Sequence, residues 1–99
     1  MKVKISDFDP VKYLDSEEAI AAYLAEAFKI GELDLIITCI GDVARAKGMA
    51  QIAEEAGLGR ESLYKSLSKD GNPSFATVLK VLSILGVSLM PKSKMAFEA

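Results

Sequence analysis

The segment "MAQIAEEAGLGRESLYKSL", residues 49–67, constrains the fold of this chain more than any other stretch of its sequence. Two short amphipathic patterns are separated only by Gly57, Leu58 and Gly59, which are too few residues for an ordinary loop between helices. Two helices joined by a turn of three or four residues that contains glycine are typical of the helix-turn-helix unit, in which they cross at about 90–120°. The sequence therefore predicts this unit at residues 49–68, with a plain corner of a helical bundle as the alternative.

The residues around the turn favour the helix-turn-helix interpretation. Gly57 supplies the left-handed conformation that such a turn needs at its first position. Ala53, four residues earlier, is small enough to let the two helices cross closely. Ile52, Leu58 and Leu63 lie where apolar side chains would anchor the unit to the rest of a core.

The remaining pattern predicts an all-α domain of five helices. A first helix is expected after Asp15, an N-cap with Glu18 three residues later in a capping-box arrangement, and Gly31 ends it. The other four are expected at 33–47, 49–56, 60–68 and from the N-cap Ser74 to Gly86. The chain is thus divided into an extended N-terminal segment (1–14), a helical domain (15–90) and a flexible tail (91–99).

Apolar residues spaced by three and four positions predict which side chains of these helices face inward. They are Ile20, Tyr23, Leu24, Ala27 and Phe28 in the first helix; Leu33, Ile36, Ile37, Ile40, Val43 and Ala44 in the second; Ile52, Ala53 and Ala56 in the third; Leu63 and Leu67 in the fourth; and Phe75, Val78, Leu79, Leu82 and Leu85 in the fifth.

The amino-acid composition narrows the classes of function. Hydrophobic residues make up 51% of the 99 residues, which favours one folded domain, and no apolar run reaches the roughly 18 residues of a membrane span. Cys39 has no second cysteine with which to form a disulfide, which is typical of the reducing cytoplasm. The absence of histidine removes the commonest general base and metal ligand. We therefore expect a cytoplasmic protein that is not an enzyme and holds no cofactor or metal, with Cys39 in its core.

Charge is distributed unevenly along the chain, although the formal net charge is only −2. Residues 1–32 contain four lysines and seven acidic residues, and residues 33–56 contain two basic and four acidic residues. Residues 57–99 reverse the balance, with six basic and three acidic residues. The sign changes at the Gly57 turn, which favours nucleic-acid contact by the second half of the chain; a solvated surface of mixed charge is the alternative.

If the unit binds DNA, the fourth helix is the recognition helix, and its N-terminal part meets base edges in the major groove. Arg60 suits a bidentate contact with guanine O6 and N7, worth about 1–3 kcal/mol of discrimination. Glu61 can accept a hydrogen bond from cytosine N4, although the phosphate backbone repels it. Tyr64 is interpreted either as a base reader or as a half-buried packing residue, with packing favoured. The full set of candidate base contacts is Gly59, Arg60, Glu61, Tyr64 and Lys65.

Phosphate contacts are expected on either side of this helix. Backbone N–H groups near Ala50 and Gln51 open the third helix, and Lys69 and Asn72 follow the fourth. Such contacts fix the register of a protein on the duplex but carry no sequence information. Because one module of this size makes few of them, we expect a homodimer that spans two half-sites. The sequence does not identify the dimer interface, for which the C-terminal tail is the first candidate.

Two stretches, "FDPVKYLDSEEAIAAYL" and "GLGRESLYKSLSKDGNPSF", carry a resemblance to a known family. Over about residues 5–90 the chain resembles the probable addiction module antidote family, and its second half is similar to the helix-turn-helix domain of the Xre/phage-repressor type. The resemblance implies a five-helix lambda-repressor-like DNA-binding domain, with the N-terminal helix counted among the five. It also implies an antitoxin of a type II toxin–antitoxin module, paired with a small RelE/ParE-like toxin, that represses its own promoter.

The resemblance also implies roles for single residues, although this sequence departs from the family pattern at two positions. Ser66 stands where many Xre-type recognition helices have an apolar residue, a role that Leu67 is expected to take. Gly59 stands where Ser or Thr usually caps the recognition helix. Carried over by position, Gln51 begins the phosphate-facing helix, and the DNA-facing positions are Arg60, Glu61, Tyr64 and Lys65.

The acidic first half of the chain suits the toxin that the resemblance implies. A toxin that attacks RNA is expected to be basic, and an acidic surface would steer it and disfavour wrong partners. The candidate toxin contacts are Phe8, Tyr13 and Glu17, of which the two aromatic rings would fill pockets on the partner. Packing of both rings on this chain's own core is the alternative.

Other functions stand beside this one. The first is an Xre-type transcriptional regulator without a toxin partner, and the second is a helical adaptor that binds only protein, which the net negative charge supports. An enzyme is the least favoured, because the sequence has no carboxylate pair, metal-ligand spacing or glycine-rich phosphate loop.

Overall fold

Five α-helices form the fold in the computed structural model, which describes residues 14–94. The helices are α1 (Glu17–Ile30), α2 (Leu33–Lys47), α3 (Met49–Ala56), α4 (Arg60–Ser66) and α5 (Phe75–Ile84). No strand occurs within residues 14–94. The predicted all-α class with five helices is therefore confirmed. The extended segment predicted at 1–14 and the tail predicted at 91–99 lie mostly outside the described residues.

The first helix begins one residue later than the sequence predicts. Ser16 is the N-cap, with an extended backbone, and its hydroxyl accepts a hydrogen bond from the N–H of Ala19 at 3.1 Å. A serine hydroxyl satisfies one of the N–H groups that the first turn of a helix leaves unpaired. The prediction of Asp15 as the cap is wrong by one position, whereas the predicted end of the helix at Gly31 is confirmed.

Gly57 ends α3 as the sequence predicts. It is left-handed, with a φ of 72°, and the N–H of Leu58 donates to the carbonyl of Ala53 at 2.8 Å. This closure is the Schellman motif, and the same bond from Val87 to Leu82 closes α5. The motif reverses the chain at once, so that α4 begins only three residues after Gly57.

A hydrophobic core joins all five helices. Both leucines that α4 supplies to it, Leu63 and Leu67, are essentially inaccessible to solvent. In the part of the chain that the structure describes, no polar or charged side chain is buried, so apolar burial is the main favourable term for this fold. The buried core residues are Ile20, Leu24, Ala27, Cys39, Ile40, Val43, Ala44, Met49, Ile52, Ala53, Leu63, Leu67, Val81, Leu82 and Leu85.

Four side chains that the spacing assigns to the core are exposed instead. Leu33 and Phe75 are the first residues of α2 and α5, and they are 65% and 68% exposed. Phe28 is exposed near the end of α1. Leu79 lies to one side of the buried face of α5, and Val81 is buried on that face instead. The predicted burial of these four residues is wrong.

Two glycines let other parts of the chain touch the backbone at the end of α4. A Cβ atom at Gly41 of α2 would overlap the carbonyl oxygen of Leu67. A Cβ atom at Gly71, in the loop after α4, would overlap the carbonyl oxygen of Ser66 and lie 2.6 Å from that of Lys65. The direction of α4 is therefore fixed from two sides at its C-terminal end.

Because of this close approach, we expect Gly41→Ala to lower the free energy of unfolding by about 1–3 kcal/mol, the usual cost of overpacking. At an unhindered glycine in a helix, the same substitution would raise the free energy of unfolding, since alanine is favoured over glycine there by about 1 kcal/mol. Urea unfolding followed by far-ultraviolet circular dichroism measures the change. Ala46→Gly, exposed in the same helix, is the control and should cost about 1 kcal/mol through helix propensity alone. A Gly41→Ala variant more stable than the parent would contradict the contact.

Candidate nucleic-acid interface

The outer face of α4 collects the side chains that the sequence assigns to base contacts. Leu63 and Leu67 face the core, and Tyr64 and Lys65 between them point away from it. We call this set the α4 face: Gly59, Arg60, Glu61, Tyr64 and Lys65, all of which are exposed. The arrangement leaves a continuous helical surface with two cations, a carboxylate and a phenol open to a partner.

Both departures from the family pattern have a structural counterpart in α4. Gly59 caps the helix without a side-chain hydrogen bond, and its carbonyl accepts from the N–H of Leu63 at 2.9 Å. Ser66 donates its hydroxyl to the carbonyl of Leu63 at 3.0 Å, so its polar group is satisfied within the helix. Leu67 is fully buried and takes the apolar role that the sequence predicts for it.

Arg45 of α2 joins this surface, which the sequence analysis does not predict. Its guanidinium carbon lies 5.5 Å from the centre of the Tyr64 ring, and its Nη2 atom donates to Asp42 Oδ1 at 2.6 Å. Tyr64 is 52% exposed, so its ring rests on Arg45 rather than in the core. The spacing of Asp42 and Arg45 already suggests an ion pair within one helix. The contact with Tyr64, however, depends on how α2 and α4 pack.

The candidate phosphate contacts lie at two other points of the surface. Ala50 and Gln51 are exposed in the first turn of α3, whose N-cap Gly48 offers no side-chain acceptor. The side chain of Gln51 donates to a carboxylate oxygen of Glu55 at 3.1 Å, which brings negative charge close to that turn. Lys69 and Asn72 are exposed in the loop after α4.

Charges of both signs surround the α4 face. The basic side chains on α4, on the following loop and beside Tyr64 are Arg45, Arg60, Lys65 and Lys69, and the acidic ones among them are Asp42, Glu61 and Asp70. The excess of positive charge is small. Contact with a polyanion therefore has to come from directed hydrogen bonds more than from a general electrostatic attraction.

The candidate toxin contacts are described only in part. Phe8 and Tyr13 lie outside the described residues. Glu17 is exposed at the first position of α1, and its carboxyl group lies against Gly86, where an added Cβ atom would overlap it.

Three other features bear on the kind of site. Within residues 14–94, no group of three or more metal-ligating side chains comes together. Cys39 is a free thiol buried in α2. None of the helices described is long and apolar enough to cross a membrane.

Comparison with known proteins gives a family match and one relative. The model of a family described as "Probable addiction module antidote protein" matches residues 4–93. An uncharacterized protein of Haemophilus influenzae (strain Rd) is 48% identical over 87 residues, which cover 88% of this chain and 90% of the relative. No solved structure matches the chain.

The contact between Arg45 and Tyr64 predicts an energetic coupling between the two residues. We expect a double-mutant cycle of Arg45→Ala and Tyr64→Ala to give a coupling of about 0.5–1 kcal/mol in the free energy of unfolding, the usual size at a partly exposed cation–π pair. Urea unfolding of the four proteins measures it. Lys47→Ala is the matched control, because Lys47 carries the same charge on the same helix but lies beside Gln51 and Glu55. Equal coupling in both cycles would show that the pair is not specific.

Proposed function

The chain belongs to the family of probable addiction module antidote proteins, and from this premise we propose that it is the antitoxin of a type II toxin–antitoxin module. It binds and neutralises a small RelE/ParE-like toxin, and it represses its own operon by binding DNA in a sequence-specific way. The observation that carries the DNA-binding half is the α4 face, which is held outward on a short helix by two buried leucines and a glycine turn.

In this function α4 lies in the major groove, where a helix fits and where each base pair presents a distinct set of donors and acceptors. Arg60 grips guanine O6 and N7, and Glu61 accepts from cytosine N4. Lys65 reaches the next base or its phosphate. Tyr64 is kept at the surface by Arg45 and presents its hydroxyl and ring edge to the groove wall.

Phosphate contacts fix the protein on the duplex. The N–H groups of Ala50 and Gln51 at the start of α3 hold one phosphate, and Lys69 and Asn72 hold another. Since a single module makes few such contacts, two copies bind together, with half-sites one helical turn apart on the operator. Binding of the two copies to the operator blocks transcription of the operon.

The toxin half of the function is supported by the corner between α1 and α2. Ile30 and Leu33 are 63% and 65% exposed on either side of the Gly31 turn, and we call this region the α1–α2 corner. Three exposed carboxylates, Glu26, Glu32 and Asp34, lie around it, together with the exposed Lys29. An apolar centre with an acidic rim suits a basic protein partner, because the rim steers the encounter and the centre supplies contact area. We place the toxin here; of the candidate contacts, Glu17 lies at the other end of α1, and Phe8 and Tyr13 lie outside the described residues.

The alternative is an Xre-type regulator that uses the same α4 face without a toxin partner. An adaptor that binds only protein is supported by the mixed charge around α4. In each of these the chain acts by binding and takes no part in a chemical step. With its own operator and a small toxin as partners, the chain acts in the cytoplasm in this proposal.

We expect the chain to bind a duplex from its own upstream region, with an affinity that falls as salt rises. Arg60→Ala should weaken this binding by more than about 1 kcal/mol, or about fivefold, because a bidentate base contact is lost. Electrophoretic mobility shift and fluorescence anisotropy at several salt concentrations measure both effects.

Lys29→Ala on α1 is the control for this experiment, since it removes the same charge from another helix. An equal loss of affinity in the two variants would remove Arg60 from the reading set. If no duplex shifts at low salt, the proposed DNA binding is wrong, and an adaptor that binds only protein is favoured instead.

We expect the product of the open reading frame adjacent to this gene to be toxic alone, and to be neutralised and co-purified by this chain. Leu33→Asp should lower the co-purified amount at least about fivefold, since it adds a charge to the apolar centre of the α1–α2 corner. Met90→Asp, at a residue 76% exposed elsewhere, is the control. A harmless neighbour that does not co-purify would favour the regulator without a toxin, and full retention by Leu33→Asp would exclude the corner as the contact.

A further inference from the structure

The ring of Tyr64 lies at the surface of α4 and contacts a residue of another helix. Tyr64 follows Arg60 by four residues, so the two side chains lie on the same side of α4. Tyr64 is 52% exposed, and the guanidinium carbon of Arg45 on α2 lies 5.5 Å from the centre of its ring. The side of the ring that is turned away from Arg45 is therefore the part that a partner can reach.

Three contacts hold the guanidinium group of Arg45 in place. Its Nη2 atom donates to Asp42 Oδ1 at 2.6 Å, which is a short charge-assisted hydrogen bond. Its Nη1 atom lies 3.2 Å from the point where a Cβ atom at Gly41 would stand, so it is close to the backbone of α2. The ring of Tyr64 is the third contact. Because Asp42 balances its charge, Arg45 is better suited to supporting the ring than to holding a phosphate.

We propose that Arg45 is a positioning residue, which holds the Tyr64 ring so that the ring reads the methyl group of a thymine in the operator. Thymine is the one base of the four that presents a methyl group in the major groove, and proteins recognise it by apolar contact. This inference rests on the proposed function, since it requires α4 to lie in that groove. It adds the feature of the base that Tyr64 recognises and the residue that makes this recognition possible.

The composition of the α4 face favours a methyl group as the partner of Tyr64. The other side chains of this face are a glycine hydrogen, two cations and a carboxylate, so the ring supplies its large carbon surface. One turn separates Tyr64 from Arg60, which is about 6 Å along the helix axis. This length is close to two base-pair steps of about 3.4 Å each. We therefore expect the thymine within about two base pairs of the guanine that Arg60 contacts.

Support from Arg45 matters because apolar contact is not directional. A hydrogen bond would orient the side chain that makes it, whereas contact with a methyl group leaves the orientation of the ring to the protein. An exposed side chain without support exchanges between staggered rotamers, and binding then has to immobilise it at a cost in entropy. A ring that is already held by Arg45 loses less entropy on binding, so the contact with the methyl group contributes more to affinity.

Replacement of thymine by uracil in a duplex from the upstream region of the gene tests this inference, since uracil lacks only the methyl group. Each thymine is replaced in turn, and fluorescence anisotropy with the full chain measures the affinity. We expect one replacement in a half-site to weaken binding by the wild type about fourfold, the value of burying one hydrocarbon group. Tyr64→Ala should abolish this difference between the duplexes, and Tyr64→Phe should keep it, because the ring remains.

The role of Arg45 is tested with the same pair of duplexes. Arg45→Ala should bind the thymine and uracil duplexes nearly equally, and Arg45→Gln, which keeps a long side chain without the charge, should do the same. Lys47→Ala is the matched control, because it removes the same charge from the same helix, and it should retain the fourfold difference. A loss of folded protein would weaken binding to both duplexes alike, so the ratio of the two affinities reports on positioning. Circular dichroism verifies the fold of each variant.

Several results would overturn this inference. They are a wild type that no uracil replacement weakens, a fourfold difference that survives in Tyr64→Ala, and one that survives in both Arg45 variants. If Arg45 holds a phosphate instead, Arg45→Ala will weaken binding to all duplexes equally and lower the salt slope by about one, with the methyl effect intact. That outcome would also overturn the inference.

The wild type and Arg60→Ala separate this inference from the proposed function. If the wild type binds its duplex and Arg60→Ala weakens that binding, a missing methyl effect overturns the role of Tyr64 and Arg45 and leaves DNA binding intact. If the wild type binds no duplex at low salt, the proposed DNA binding is overturned, and the inference falls with it.

Discussion

The burial of Leu63 and Leu67 is the interaction on which the rest of the structure depends. The helix α4, which carries Leu63 and has Leu67 as its C-cap, has seven residues, whereas isolated helices shorter than about 12–15 residues are marginal in water. Packing therefore holds α4 in its conformation, and each fully buried leucine contributes about 1.5–3 kcal/mol. Because these side chains occupy one face of the helix, the residues between them are turned to solvent. The exposure of Tyr64 and Lys65 is a consequence of the core.

Glycines near both ends of α4, which have no side chain, fix the direction of this helix relative to its neighbours. At the start, Gly57 adopts a left-handed conformation and turns the chain within three residues. At the end, Gly41 and Gly71 allow α2 and the following loop to touch the helix backbone. A helix that enters a groove of about 12 Å width has to keep a defined direction. Contacts between backbones give that direction more firmly than long side chains could, because they have no rotamers to change.

Two surfaces of this small domain differ in charge, and the difference separates their proposed partners. The α4 face and its neighbours carry a small excess of positive charge, which suits a polyanion bound through a few directed contacts. The α1–α2 corner has three carboxylates against one lysine, Lys29, and this negative excess suits a basic protein. A net charge of −2 conceals this arrangement, since charges of opposite sign cancel in the sum but act on different partners.

Local signals in the sequence determined the helices, the glycine turn and the inward position of the residues at helix centres, because capping, periodicity and left-handed glycines act within a few residues of the chain. The sequence also determined which side chains α4 presents, since burial of Leu63 and Leu67 leaves little choice. It did not determine the contact of Arg45 with Tyr64, which depends on the packing of α2 against α4. Nor did it show that Leu33 and Phe75 are exposed, because an apolar residue at a helix end is buried only if another element extends past that end. The periodicity of one helix contains no information about the length of its neighbours, and for that reason only the tertiary structure decided these positions.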